Sequence, residues 1–195
     1  MPPRLEPLQP PYPDGVEDAL RRLMGSRPPA VDAPPLALFR TIAHHDVLLD
    51  RFRQIGASML SFGRLDAADR ETVIHRTTAR CGASYEWGVH AVAFAGPLGL
   101  GEDWLAATWA GAADDPAFTP RQALLVRAVD ELHDDAAWSA ATWAALREAY
   151  ADDELVELAC LVGFYHLVSF VCGAFAVEPE PWAARPPAPS PAPPR

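Results

Sequence analysis

The sequence predicts an all-α protein, and three observations carry that expectation. Between residues 36 and 178 the apolar residues recur at helical intervals of three and four, and no segment alternates apolar and polar residues as a half-buried strand would. Of the 21 prolines, ten fall in residues 1–35 and eight in residues 179–195, so the helix-breaking residue is largely confined to the two ends. The expected organisation is a Pro-rich N-terminal arm over 1–35, a helical domain over 36–178 and a Pro-rich disordered tail over 179–195, with about six or seven helices in the domain. The arm carries Leu5, Leu8, Tyr12 and Val16 among its prolines and is expected, at most, to lie along the domain surface.

Residues 36–61 read as one or two helices. Asp66 or Asp69 is placed to cap a helix running to about Arg80. Gly82 marks a bend before a helix carrying Tyr85 to Ala95, and Gly96, Pro97, Gly99 and Gly101 then punctuate the chain. A short helix is expected from Glu102 to Gly111. Pro120 suits the first turn of a helix reaching about His133, Ser139 caps "AATWAALREAY", and Asp152 or Asp153 opens a last helix ending near Phe175. That helix contains the 18-residue apolar run "LACLVGFYHLVSFVCGAF". The run lacks flanking cations and has acidic residues at both ends, so it reads as a core or subunit-interface helix rather than a membrane span.

Composition removes several chemistries. All sixteen basic residues are arginine, which rules out a lysine Schiff base, a pyridoxal phosphate anchor and a phosphate-loop lysine. A formal charge of −10 without clustered cations argues against a nucleic-acid partner. Cys81, Cys160 and Cys172 match neither a disulfide framework nor a zinc spacing, so no metal is expected. The N-terminus has no apolar core of the kind that directs export, and a cytoplasmic location is expected.

The segment "RCGASYEWGVHA" concentrates the chemistry. Residues four apart share a helix face, so Glu86 pairs with His90, and one helix earlier Glu71 pairs with His75. A carboxyl group beside an imidazole in an apolar pocket is suited to proton transfer. Trp87 offers an apolar wall, Tyr85 a donor, and Cys81 sits one turn before Tyr85. The same spacing also fits a structural Glu/His pair between packed helices, and sequence alone leaves both readings open. His166, beside Tyr165 on the last helix, is a further pocket candidate or a hydrogen-bonded core histidine. Arg40, Arg76 and Arg80 are candidates to meet a substrate carboxylate.

Glu71, "CGASYEW" and His90, followed by Gly99-Leu100 and an acidic helix start, resemble the carboxymuconolactone decarboxylase and alkylhydroperoxidase D superfamily, over most of 36–180. The peroxidase branch has a Glu, a CxxC beginning twelve residues later, and a His four residues after the second Cys. On this chain the Glu falls on Glu71 and the His on His90, but the cysteine positions fall on Ala83 and Glu86. Cys81 is two residues out of register, so disulfide-coupled peroxide chemistry is not implied. The decarboxylase branch has a Glu and a His four apart, which Glu86 and His90 match.

That resemblance implies an all-α fold, cofactor-free chemistry and a homo-oligomer (dimer, trimer or hexamer). The expected activity is acid–base decarboxylation of a small carboxylated lactone or β-keto-like acid. Glu86, His90, Glu71 and Tyr85 are the candidate catalytic residues, and Cys81, Trp87, His75 and His166 the candidate pocket residues. A residual thiol peroxidase or reductase using Cys81, and a non-catalytic oligomeric binding protein, are the alternatives.

Overall fold

The computed structural model describes residues 2–24 and 34–187. Among these residues it has nine α-helices and no strand: α1 (Val16–Met24), α2 (Ala37–Ile42), α3 (Asp46–Leu60), α4 (Ala67–Arg80), α5 (Ser84–His90), α6 (Glu102–Ala110), α7 (Pro120–Asp135), α8 (Ala140–Ala149) and α9 (Asp152–Phe175). A π-helical turn, Ala91–Ala95, and a short 3-10 turn, Gly96–Leu98, join α5 to α6. The expected starts recur with their causes. Asp66 accepts from the Ala68 amide at α4, Thr119 and Gln122 form a reciprocal cap around Pro120 at α7, and Ser139 accepts from Thr142 at α8.

α4 is the hub, packing against α5, α6, α7 and α9. Its sequence is polar, yet Asp69, Glu71, Thr72, His75, Arg76, Thr77 and Thr78 are all buried. Burial on this scale requires partners. The three threonine hydroxyls donate to carbonyls one turn earlier. Arg76 makes a bidentate pair with Asp130 at 2.6 and 2.8 Å, and also donates to the Thr108 and Gly111 carbonyls. Asp69, the alternative cap, instead meets Arg121 at 2.6 Å and accepts from the Tyr150 hydroxyl at 3.1 Å. α9 is long and apolar enough to cross a membrane by length and composition, with a mean hydropathy of 2.0 over its apolar window, but half of that window is buried inside the helical bundle.

Two expected boundaries move outward. The arm over 1–35 contains α1, whose Val16 and Leu20 are buried in the main core. Val16, Leu20 and Leu23 lie four and three residues apart, so they share one helix face, a pattern obscured by the surrounding prolines. The tail expected to be disordered from 179 packs as a strap through residue 184. Glu180 is buried, accepting from the Ala37 amide at 2.7 Å and the Tyr85 hydroxyl at 2.6 Å. The Ala184 amide donates to the Gly88 carbonyl at 3.2 Å. A Cβ at residue 88 would stand 2.2 Å from the Ala184 carbonyl oxygen, so this crossing requires glycine. Residues 25–33 and 188–195 lie outside the described residues.

Candidate active site

Gly82, at φ +64°, closes α4 and lets the chain double back into α5. The reversal brings the two Glu/His pairs together, with the His75 and His90 rings 6.1 Å apart. Glu71 is fully buried, and its Oε2 accepts from His90 Nδ1–H at 2.8 Å. On the opposite edge of the ring, His90 Nε2 lies 3.1 Å from the Tyr165 hydroxyl and 3.4 Å from Glu86 Oε1. Phe94, one π-turn onward, stacks on the same ring with centroids 4.5 Å apart. π-helical turns recur at functional sites.

This edge of His90 faces a cavity of about 230 Å³. Its apolar wall includes Phe39, Phe52, Phe164, Val168 and Trp182, and its polar groups include Glu86, His90, Tyr165 and Arg53. Two polar atoms here are buried without a hydrogen-bond partner among the described residues, Glu86 Oε2 and Arg53 Nε.

The electrostatics separate the two histidines. Burial pushes His90 down, but the charge and hydrogen bond of Glu71, reinforced by Glu86, outweigh it and raise the imidazole to about 9. Burial likewise pushes Glu71 up, and the charge and hydrogen bond of His90, with smaller help from its other neighbours, more than offset that and leave its carboxyl below the ordinary value. His75 goes the other way. Burial, with the nearby His90 charge, lowers it to about 4 against the smaller pull of Glu71, so it is neutral near pH 7. Its Nδ1–H donates to the Glu71 carbonyl at 2.8 Å. The result is a carboxylate holding a buried imidazolium, whose second N–H edge looks into a small apolar cavity.

Of the eight residues singled out from sequence, Glu86 and His90 line the cavity and Glu71 stands directly behind His90. The other five do not line it. Tyr85 turns to Glu180 and the Leu38 amide, and its hydroxyl is held far above its usual range by burial and then by the Glu180 charge. Trp87 donates to Thr108 Oγ1 at 3.2 Å, and His75 packs edge-on against Trp104. Cys81 and His166 lie together elsewhere, with His133. The tyrosine that lines the cavity is instead Tyr165, the eighth residue of the apolar run that begins at Leu158, where sequence reading saw only a neighbour of His166. Arg40, Arg76 and Arg80 are tied to carbonyls or carboxylates, whereas Arg22 and Arg53 line the cavity, Arg53 pairing with Asp50 at 3.1 Å through its guanidinium while its Nε has no hydrogen-bond partner among the described residues.

This arrangement sits on the alkylhydroperoxidase D-like fold. The structure is similar to that of an uncharacterized peroxidase-related protein from Silicibacter sp. TM1040, with a TM-score of 0.76 and 17% identity, covering 92% of this chain and 93% of that one. It is also similar to a structure described as an alkylhydroperoxidase AhpD core, an uncharacterized peroxidase-related protein from Ralstonia eutropha JMP134, with a TM-score of 0.74 and 17% identity over 93% and 94% of the two chains. No family model and no curated protein sequence matches the chain.

Proposed function

We propose that the chain is a cofactor-independent acid–base enzyme that decarboxylates a small carboxylated lactone or β-keto-like acid. The observation that carries this reading is His90, held as an imidazolium by Glu71, with its Nε2 edge at the cavity between Tyr165 and Glu86. At about 230 Å³ the cavity is below the roughly 300–1,000 Å³ of drug-sized sites, which suits a small substrate. Arg53, paired with Asp50 at 3.1 Å, keeps its Nε unpartnered for a substrate carboxylate.

In this reading the carbon–carboxylate bond breaks, CO₂ leaves, and the electron pair moves onto the adjacent carbonyl or enol lactone oxygen. The His90 N–H and Tyr165 O–H stabilise that oxyanion. His90 then delivers its Nε2 proton to carbon, and Glu86 relays a replacement proton from solvent. Glu71 keeps the ring oriented and charged throughout. The test is CO₂ release from a panel of carboxylated lactones as a function of pH. Turnover should fall as pH rises through about 9, where His90 loses its proton. A rate that climbs steadily across that range would exclude His90 as the donor.

The outer face of α9 leaves Val156, Leu167 and Phe170 exposed beside Gly163. That face supports a homo-oligomer in which a second copy covers it.

A further inference from the structure

A second cluster of chemistry-bearing side chains lies outside the cavity. Cys81 caps the end of α4, His133 is in the last turn of α7, and His166 is near the middle of α9. Their ligand atoms, one thiol sulfur and an imidazole nitrogen from each histidine, all lie within 4.8 Å of one another, and each residue is partly exposed. The residues are 52 and 33 positions apart in sequence, so no ligand motif announces them, and the expectation of no metal set rested on spacing alone.

The hydrogen bonds prepare the ligands. His166 Nδ1 lies 2.8 Å from the Val162 carbonyl, which can only accept, so Nδ1 carries the proton and Nε2 presents its lone pair. A backbone carbonyl fixing the tautomer from behind is the usual support of a metal-binding histidine. That lone pair now accepts from His133 Nδ1 at 2.9 Å. An ion between them would take both nitrogens once His133 moves its proton to Nε2. A tetrahedral ion with nitrogen and sulfur ligands separates its donor atoms by about 3.3–3.8 Å, so the cluster needs only small adjustments.

The nearby carboxylates are committed elsewhere. Asp134 pairs with Arg80 at 2.5 Å, and Asp130 with Arg76 at 2.6 Å and with Arg80 at 3.4 Å. They offset the Arg80 charge beside the cluster without serving as ligands. A thiolate with two imidazoles selects a borderline or soft ion over magnesium or calcium.

We propose that Cys81, His133 and His166 form a three-ligand site for a divalent transition-metal ion of the Zn²⁺ type, with water in the fourth position. Binding exchanges the Cys81 thiol proton for the metal, releasing that proton to solvent. The ion ties α4, α7 and α9 together, and His166 is the immediate neighbour of Tyr165 in the cavity.

The test is titration of the metal-free full-length protein with Co²⁺, followed by absorbance and by melting. One equivalent per chain should produce a thiolate-to-cobalt charge-transfer band, raise the melting temperature, and be displaced by Zn²⁺. Cys81→Ser should abolish the band, and His166→Ala should weaken binding by at least the roughly 10–100-fold seen when even a supporting partner is lost. Cys160→Ser, which removes the exposed thiol, should leave the band intact. Absence of the band in the wild-type protein, its survival in Cys81→Ser, or its loss in Cys160→Ser would overturn the proposal. Circular dichroism of each variant separates lost ligation from lost folding.

Discussion

Glu71→Gln isolates the charge behind His90. Glutamine keeps the side-chain length and an oxygen to accept the 2.8 Å bond from His90 Nδ1–H, while removing the negative charge. In the wild-type protein His90 sits at about 9 rather than 6.5, against the downward push of burial. At roughly 1.4 kcal/mol per pH unit, that difference corresponds to about 3 kcal/mol in favour of the protonated, folded state. Because the folded value is above the unfolded one, this stability is fully present below about pH 6.5 and is lost as pH rises through about 9. With Glu71 neutral, burial is opposed mainly by Glu86, so His90 should titrate lower by about two pH units or more. The alkaline decline in stability should flatten accordingly. The assay is carbon-13 NMR titration of the six histidines, with His90 assigned by substitution, paired with denaturant unfolding at pH 6.5 and 9. A wild-type His90 that titrates near 6.5, or one that keeps its value in Glu71→Gln, would show that the Glu71 charge does not hold the imidazole protonated.

The strap should be structural. Gly88→Ala drives a Cβ to 2.2 Å from the Ala184 carbonyl, and truncation after residue 178 strands the Tyr85 hydroxyl and the Ala37 amide, so each should cost about 1–3 kcal/mol in unfolding free energy. An unchanged melting temperature in both would show that the strap does not hold. Cys81→Ser should leave peroxide turnover at background, because burial raises the Cys81 thiol, partly countered by Ser169 and Arg80, and no second thiol stands at CxxC spacing. Cys81-dependent peroxidase activity would contradict this. Phe170, 65% exposed on α9, should be covered in an oligomer, so Phe170→Glu should lower the mass seen by light scattering, and a wild-type monomer would remove the argument.

The helices were legible where local chemistry decides them. Asp66, Pro120 and Ser139 each act on amides within one turn, and their helices start where the sequence places them. α1 was hidden because its apolar residues are few and lie among prolines whose composition suggests an unstructured arm. The Glu71 and His90 convergence was partly legible, since i,i+4 spacing fixes each pair to a face. What spacing cannot fix is which partner binds more tightly, and Glu71, nineteen residues away, holds His90 at 2.8 Å while Glu86 stands at 3.4 Å. Tyr85 was misplaced because its real partner, Glu180, lies 95 residues further on, in a segment that composition marks as tail. The Cys81, His133 and His166 cluster depends wholly on the packing of three helices and left no trace in spacing.

If Glu86 and His90 move a proton to carbon during decarboxylation, that proton comes from solvent. Solvent deuterium capture during CO₂ release tests it most directly, in wild-type protein and in Glu86→Gln. That substitution keeps the side-chain shape, and it avoids leaving Glu71 charged, buried and unpaired as His90→Asn would. One deuterium is expected at the carbon that lost its carboxylate, with the rate in Glu86→Gln reduced by roughly 10²–10⁴ and the melting temperature preserved. A folded Glu86→Gln protein that captures deuterium at the wild-type rate would contradict it.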